Sequence, residues 1–154
     1  IIGSGSIYEG DAFFKEEDAP NFDKHVYTQV RIMLETAINY TYSNDVLYLR
    51  VAYPITRDGH PKCLLSKLEK NKDNIHDISV SATVVPSLFP KIPELLEKGV
   101  TGIINFTNEG SMRLSEMISD STVSKDTPNR SECKLDVSKL KEYIQVDPLK
   151  ECLQ

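Results

Sequence analysis

The spacing of apolar residues predicts a helix followed by a strand in the first third of the chain. From residue 26 onwards, apolar side chains recur at the spacing of an amphipathic helix: Val26, Val30, Met33, Leu34, Ala37 and Ile38. The other face of this helix carries Gln29, Arg31 and Glu35. Residues 46–52 form a short β-branched and aromatic run that ends before Pro54, which is typical of a strand buried on both faces of a parallel sheet.

Similar patterns predict an alternation of strands and helices along the rest of the chain. Ile1 and Ile2 are interpreted as the end of a buried strand that enters a Gly/Ser turn at 3–6, and residues 11–21 as a surface loop. The further predicted elements are a helix at 62–71, an extended segment at 79–85, a helix at 88–98 closed by Gly99, a strand at 102–106, and helices at 114–118 and 135–144. This alternation indicates the α/β class.

Length and composition limit the classes of function. The chain has 154 residues, of which 40% are hydrophobic, so we expect one domain over residues 1–154. With 23 acidic and 18 basic residues, the net charge of −5 repels polyanions and argues against nucleic acid as a partner. No apolar run approaches the ~20 residues of a membrane helix, so we expect a soluble protein without a membrane partner.

Cysteine and histidine usage gives no sign of a disulfide framework or a metal centre. Cys63, Cys133 and Cys152 are odd in number and far apart, and the three histidines share no ligand spacing. We therefore expect no bound metal and a reducing, cytoplasmic setting. The chain starts at Ile1 rather than at a methionine and shows no secretory signal, so we expect that a segment precedes it in the natural protein.

Two glycines near the start suggest a dinucleotide-binding loop, but the pattern is incomplete. Gly3 and Gly5 match the first two glycines of the GxGxxG motif, whereas Tyr8 stands at the position of the third. A strand-like segment follows, although the motif requires a helix there. We therefore assign no phosphate-binding loop to this segment.

A second constellation combines Ser4 with Tyr27 and Arg31. Tyr27 and Arg31 are four residues apart on the predicted helix, which puts the phenol and the cation on one face. A cation beside a tyrosine favours the phenolate and makes the side chain a better proton donor and acceptor at neutral pH. Ser4 could then bind a substrate carbonyl that Tyr27 protonates. On spacing alone, a surface pair without chemistry remains the alternative.

Several segments together resemble the extended short-chain dehydrogenases. Residues 4–10 (Ser-Gly-Ser-Ile-Tyr-Glu-Gly) are similar to the turn that carries the catalytic Ser or Thr in the dTDP-4-dehydrorhamnose reductase branch. Residues 14–22 (Phe-Lys-Glu-Glu-Asp-Ala-Pro-Asn-Phe) resemble the plant-type bifunctional UDP-4-keto-6-deoxyglucose epimerase/reductases, as do residues 102–108 (Gly-Ile-Ile-Asn-Phe-Thr-Asn). Tyr27 and Arg31 fall at the family's Tyr-x-x-x-Lys, and the likeness spans nearly the whole chain.

The resemblance implies an enzyme that uses NADPH (or NADH) to reduce the C4 ketone of a nucleotide-linked 4-keto-6-deoxyhexose to a rhamnose nucleotide. Tyr27 would protonate the ketone oxygen and Ser4 would polarise it. The cofactor would lie against Tyr27, Arg31, Pro54 and Ile55. The resemblance further implies 3,5-epimerisation by residues at positions 6 and 67, here Ser6 and Lys67, and substrate contacts from Glu9, Lys67 and Arg130.

The resemblance also implies a fold and assigns different functions to the two parts of the chain. The chain would form the C-terminal part of a Rossmann-type parallel sheet, with residues 1–53 carrying the Ser/Tyr site and residues 54–154 mainly binding substrate. The family's N-terminal Gly-rich nucleotide-binding half is not in this chain. A homodimer is compatible with this fold.

Three departures from the family keep a second reading open. Arg31 replaces the lysine, Ser6 replaces the cysteine of the epimerases, and the phosphate loop is missing. The alternative is therefore a non-catalytic, reductase-like binding or regulatory subunit, or an inactive fragment. An assay of 4-keto sugar turnover would distinguish the enzyme from these non-catalytic alternatives.

Overall fold

The computed structural model describes residues 1–125 and 131–154, which form a layered α/β fold. Its strands are β1 (Ile2–Ser4), β2 (Leu47–Val51), β3 (Ser79–Val80), β4 (Gly102–Asn105) and β5 (Met112–Arg113). Its helices are α1 (Val26–Tyr42), α2 (Leu64–Lys70), α3 (Val85–Leu88), α4 (Ile92–Glu97), α5 (Ser138–Lys141) and α6 (Leu149–Leu153). Two 3-10 helices, Phe89–Lys91 and Leu114–Glu116, complete the set.

A three-stranded parallel sheet in the order β1-β2-β4 is the centre of the fold. Ser4 pairs with Val51, and Arg50 pairs with Asn105, so the carboxyl ends of the three strands meet at one edge of the sheet. All five residues of β2 are buried, as expected for a central strand with protein on both faces. The α/β prediction and the parallel sheet are confirmed.

A second, smaller layer lies beyond the carboxyl edge. Strands β3 and β5 pair antiparallel, and the segment that follows β3 runs beside the residues that follow β2. There the Thr83 amide donates to the Ala52 carbonyl at 2.7 Å, and the Ile55 amide donates to the Thr83 carbonyl at 2.8 Å. These bonds connect the second layer to the end of the central strand.

Helix α1 is present as predicted, but the face that packs against the core is the polar one and not the apolar one that its pattern suggests. Its buried residues are Thr28 and Glu35, whereas Val30 is 55% exposed and Met33 is 70% exposed. The reason is the buried cation of Arg50 on β2, which binds the Glu35 carboxylate. Leaving Arg50 unpaired under the helix would cost more than exposing a few apolar side chains.

Other predicted elements are shorter than their patterns suggested. The helix predicted at 88–98 is interrupted, because Pro90 and Pro93 lack amide protons: α3 ends at Leu88, and a 3-10 helix and α4 occupy the rest of the stretch. The helix at 135–144 shrinks to α5, since Leu135 instead pairs with Phe14 in an extended bridge. The extended segment at 79–85 contains only β3 as regular strand, and the helix at 114–118 is a single 3-10 turn.

The start of the chain is more exposed than its pattern suggested, and the structure contains two short elements that no pattern indicated. Ile1 and Ile2 are 53% and 48% exposed, because β1 lies at the edge of the sheet. Strand β5 and helix α6 were not predicted. Each spans five residues or fewer, too few for an apolar period to appear.

Candidate active site

The first part of the site is the turn that leaves β1 at the carboxyl edge of the sheet. Ser4 is buried, and its Oγ accepts a hydrogen bond from the Ser6 amide at 3.2 Å. The Gly5 amide extends the strand pairing to the Val51 carbonyl at 2.9 Å. The Ser4 hydroxyl proton has no acceptor among the described residues, so it is available to a ligand.

Side chains from the segment before α5 hold this turn in place. The Cys133 thiol donates to the Gly5 carbonyl at 2.8 Å, and the Ser131 hydroxyl donates to the Tyr8 carbonyl. A Cβ at Gly5 would lie 2.6 Å from Cδ1 of Leu135, so any larger residue here would require the Leu135 side chain to shift. Burial raises the pKa of Cys133 to about 12, which keeps the thiol neutral and able to donate.

The second part of the site is the first turn of α1. Tyr27 is 55% exposed, and the guanidinium carbon of Arg31 lies 5.2 Å from the centroid of its ring. The structure therefore brings Tyr27 and Arg31 together as their spacing predicted. The contact is of the cation–π type, with the guanidinium over the ring.

A buried ion pair fixes α1 on the sheet. Arg50 donates to both carboxylate oxygens of Glu35, at 2.6 and 2.9 Å, and is 2% exposed. Burial by itself would lower the pKa of Arg50, but the hydrogen bonds and charge of Glu35 outweigh it and raise that pKa. Since Glu35 lies two turns along from Tyr27, this pair sets the rotation of the helix that carries the phenol.

Tyr48 is a residue near this site that the sequence analysis does not single out. It is 2% exposed, on the sheet face that α1 covers, and its hydroxyl has no hydrogen-bond partner among the described residues. The phenol end of its ring lies directly over Gly3. The sequence signal that could have drawn attention to it is the glycine inside β1, where β-branched residues are usual.

Lys67 lies apart from the other predicted site residues. It projects from the exposed side of α2 into a groove of about 310 Å³ that Lys70, Asn74 and His76 also line. None of Ser4, Ser6 or Tyr27 lines this groove. The structure thus does not place Lys67 and Ser6 in one pocket.

The remaining predicted contact residues differ in accessibility. Pro54 is exposed just after β2, whereas Ile55 is fully buried and belongs to the core beside α2, so its side chain cannot reach a cofactor. Glu9 pairs with Lys24 at 2.8 Å near the surface. Arg130 lies outside the described residues.

Residues 1–125 and 131–154 contain neither a metal-binding cluster nor a membrane-spanning helix. Within these ranges, no three His, Cys, Asp or Glu side chains lie close enough together to hold a metal ion. No helix in this part of the chain is both long and apolar enough to cross a bilayer.

Comparison with known proteins identifies relatives over most of the chain. No protein-family model matches it. A bifunctional dTDP-4-dehydrorhamnose 3,5-epimerase/reductase of Arabidopsis thaliana is 34% identical over 124 residues, which cover 75% of this chain and 40% of that protein. The chain thus spans less than half of the length of this relative.

Solved structures agree with the sequence comparison. The L780 UDP-rhamnose synthase of Acanthamoeba polyphaga mimivirus superposes with a TM-score of 0.88 at 26% identity, covering 99% of this chain and 62% of that one. A dTDP-4-dehydrorhamnose reductase of Bacillus anthracis, solved with NADP, shares the fold with a TM-score of 0.73 at 17% identity, covering 99% and 62%. The chain therefore belongs to the family of dTDP-4-dehydrorhamnose reductases and UDP-rhamnose synthases and matches the C-terminal portion of its members.

Proposed function

We propose that the chain carries the catalytic Ser–Tyr site of an enzyme that reduces the C4 ketone of a nucleotide-linked 4-keto-6-deoxyhexose to a rhamnose nucleotide. The observation that carries the proposal is the placement of Ser4 and the Tyr27–Arg31 pair. Ser4 ends β1 at the carboxyl edge of the parallel sheet, and the next helix, packed on that sheet, carries the pair. Ligands of open α/β sheets bind at this edge.

The proposed chemistry needs a hydrogen-bond donor, a proton donor and a cation. The free proton of the Ser4 hydroxyl would bind the ketone oxygen. Tyr27 would deliver its phenolic proton to that oxygen as it gains negative charge, and Arg31 would stabilise the resulting phenolate. Because a guanidinium does not lose its proton at neutral pH, Arg31 would act as a fixed charge and not as a member of a proton relay.

The residues on this chain fit the nicotinamide end of a cofactor. Tyr27, Arg31 and Pro54 are accessible beside the carboxyl edge of the sheet, whereas Ile55 would contribute only through the position of its loop. NADPH, or NADH, supplies a hydride to a ketone when it is bound. Residues 1–53 would thus hold the reacting atoms, and residues 54–154, with Glu9 and Arg130, would bind the sugar nucleotide.

We propose reduction without epimerisation as the activity of this site. Ser6 carries a hydroxyl, which is a much weaker acid than the thiol of the epimerases. Lys67, the second group that epimerisation would need, lines a groove that excludes Ser6. The substrate would therefore be a 4-keto sugar that has already been epimerised at C3 and C5.

Substitution of Tyr27 tests the proposed reduction. We expect Tyr27→Phe, made in the longest natural form of the protein, to lower kcat by about 100-fold or more, the usual loss when a general acid is removed. The measurement is NADPH oxidation with UDP- or dTDP-linked 4-keto-rhamnose. Tyr40→Phe is the matched control, since Tyr40 lies on the same helix and is 92% exposed. Equal rates for Tyr27→Phe and Tyr40→Phe would refute the assignment.

One observation supports a second candidate, a non-catalytic binding or regulatory subunit. Helix α1 exposes Val26, Val30 and Met33 by more than half, and an exposed apolar face of this kind often contacts another protein chain. A stable complex with another protein, together with no turnover by wild-type protein, would favour this candidate. A homodimer built on the same face would be compatible with either function.

A cytoplasmic setting is also proposed. It is supported by the three cysteines, each of which has a free thiol in the structure, and two of which are buried.

A further inference from the structure

Tyr53 has a backbone conformation that is rare for a residue other than glycine. Its φ is 38°, in the left-handed region, and it stands two residues after β2 and directly before Pro54, at the carboxyl edge of the sheet. Strain of this kind persists only where the surrounding contacts hold the residue in place, and such residues cluster at functional sites. The contacts of Tyr53 show what holds it.

The side chain of Tyr53 lies where two parts of the core meet. It is partly buried and packs against the apolar cluster beside α2, to which Ile55 belongs. It also packs against the cluster that contains Ile7 and Tyr8 from the turn of residues 4–8, the Ser4 turn. One side chain thus contacts both the second layer and the turn that carries the proposed hydrogen-bond donor.

The hydroxyl of Tyr53 is connected to the Ser4 turn through Ser131. It donates to the Ser131 carbonyl at 2.6 Å, and the Ser131 hydroxyl in turn donates to the Tyr8 carbonyl. A chain of two hydrogen bonds therefore runs from the end of the central strand to the far end of the Ser4 turn.

The rest of the segment 131–135 is fixed to the second layer and to the same turn. The Ser81 amide donates to the Cys133 carbonyl at 2.8 Å, and the Leu135 amide donates to the Ser81 hydroxyl at 3.0 Å. The Cys133 thiol holds the near end of the turn, at the Gly5 carbonyl. Because the tyrosine hydroxyl fixes the start of this segment, the whole segment is held against the turn.

We propose that Tyr53 is a positioning residue, which holds the Ser4 hydroxyl in place for the ketone oxygen by fixing the segment 131–135 against the Ser4 turn. The inference rests on the proposed function, because that function gives Ser4 its role. The Ser4 Oγ is bonded to the Ser6 amide of the same turn, so its position follows the backbone of the turn. A displacement of about 1 Å in such a group can cost 100-fold in rate.

Kinetics of the Tyr53→Phe variant test this role. The change keeps the ring and its packing but removes the hydrogen bond to Ser131. We expect kcat to fall about 10-fold, the effect of losing one hydrogen bond, while KM for the 4-keto sugar and for NADPH changes less than twofold. Tyr143→Phe is the matched control, since Tyr143 is also partly buried but packs against a different part of the core. An unchanged kcat in Tyr53→Phe, or a loss that appears in KM instead, would overturn the proposal.

Combination with Ser4→Ala separates positioning from a general loss of stability. If Tyr53 acts through the Ser4 hydroxyl, Tyr53→Phe should lower kcat less than twofold in a protein that already lacks this hydroxyl. A tyrosine that merely stabilised the fold would lower kcat by the same factor in both backgrounds. Equal factors in the two backgrounds would therefore reject the positioning role.

Amide NMR gives a readout that does not depend on turnover. The Ser6 amide reports on the Ser4 Oγ to which it donates, and the Gly5 amide reports on the pairing of the turn with β2. In isotope-labelled protein, Tyr53→Phe should shift both amide signals and speed up their exchange with solvent. Tyr143→Phe should leave both signals where they are.

The two readouts distinguish failure of this inference from failure of the proposed function. Unchanged amide signals in Tyr53→Phe would reject the link between this tyrosine and the turn, even if the reductase assay succeeds. Shifted signals together with full activity of Tyr27→Phe would instead retain that link and reject the proposed function.

Discussion

At the scale of single residues, side chains that look unrelated in sequence hold the Ser4 turn. Cys133 was noted only as an unpaired cysteine, yet it is fully buried and donates to the Gly5 carbonyl. Its partner is a backbone carbonyl far away in the chain, and no spacing rule connects the two. The candidate residues Ser4, Tyr27 and Arg31 could be chosen from sequence, but the contacts that orient them could not.

The Cys133 thiol is expected to make stability depend on pH in alkaline solution. Burial raises its pKa from 9.0 to about 12, so the folded state keeps a proton that the unfolded chain loses first. The stabilisation is complete below pH ~9 and is lost as the pH rises towards the folded value. The free energy of unfolding, from urea titrations at pH 7.5 to 10.5, should fall with pH in the wild type.

The Cys133→Ser variant isolates this contribution. A serine keeps a donor for the Gly5 carbonyl but does not titrate in this range, so its stability should fall less steeply with pH. Cys152→Ser, which changes a partly exposed thiol, should follow the wild-type slope. The same slope for Cys133→Ser as for the wild type would show that folding does not raise the pKa of this thiol.

At the scale of elements, α1 shows what an apolar period can and cannot predict. The period placed the helix correctly at residue 26, since Val26 begins α1. It failed to predict which face packs inward, because that is determined by Arg50 on β2. The buried guanidinium of Arg50 needs a carboxylate beside it, and Glu35 on α1 supplies one. Likewise, β2 was recognisable from its composition, whereas the bridge between Phe14 and Leu135 depends on a long-range pairing that no local pattern encodes.

The buried pair under α1 is expected to matter far more than an exposed one. Glu35→Gln leaves the Arg50 guanidinium buried without its anion, which should lower the free energy of unfolding by about 3–5 kcal/mol. Glu94→Gln breaks the Lys98–Glu94 pair, whose side chains are 45% and 48% exposed, and should cost less than about 1 kcal/mol. Urea unfolding of both variants measures the difference. Similar losses from both would mean that Glu35 does not anchor the helix.

At the scale of the whole molecule, the two layers are joined by a few buried polar side chains near the carboxyl edge. The Thr83 hydroxyl donates to the Phe106 carbonyl at 2.6 Å and accepts from the Ala52 amide at 3.3 Å. The Asn108 side chain accepts from the Val84 amide at 2.8 Å. The segment around residues 105–108, part of one of the segments that resemble the family, thus connects the parallel sheet to the second layer.

Replacing Thr83 by valine tests this connection. The change keeps the shape of the side chain but leaves the Phe106 carbonyl and the Ala52 amide without this partner, so we expect a loss of about 1–3 kcal/mol. Thr36→Val is the matched control, because the Thr36 hydroxyl donates to the Ile32 carbonyl on the exposed side of α1 and should matter little. If both variants unfold at the wild-type urea concentration, the Thr83 hydroxyl does not help to hold the layers together.

The fit of Tyr48 against Gly3 restricts the order in which this protein can change during evolution. While the tyrosine is present, any side chain at position 3 meets its ring at 2.1–2.5 Å and is selected against. Only a smaller residue at position 48 would permit alanine at position 3, so one of the two mutational paths is closed. Descendants of this sequence should therefore keep the glycine for as long as they keep the tyrosine, whereas the glycine can remain after the tyrosine has been replaced.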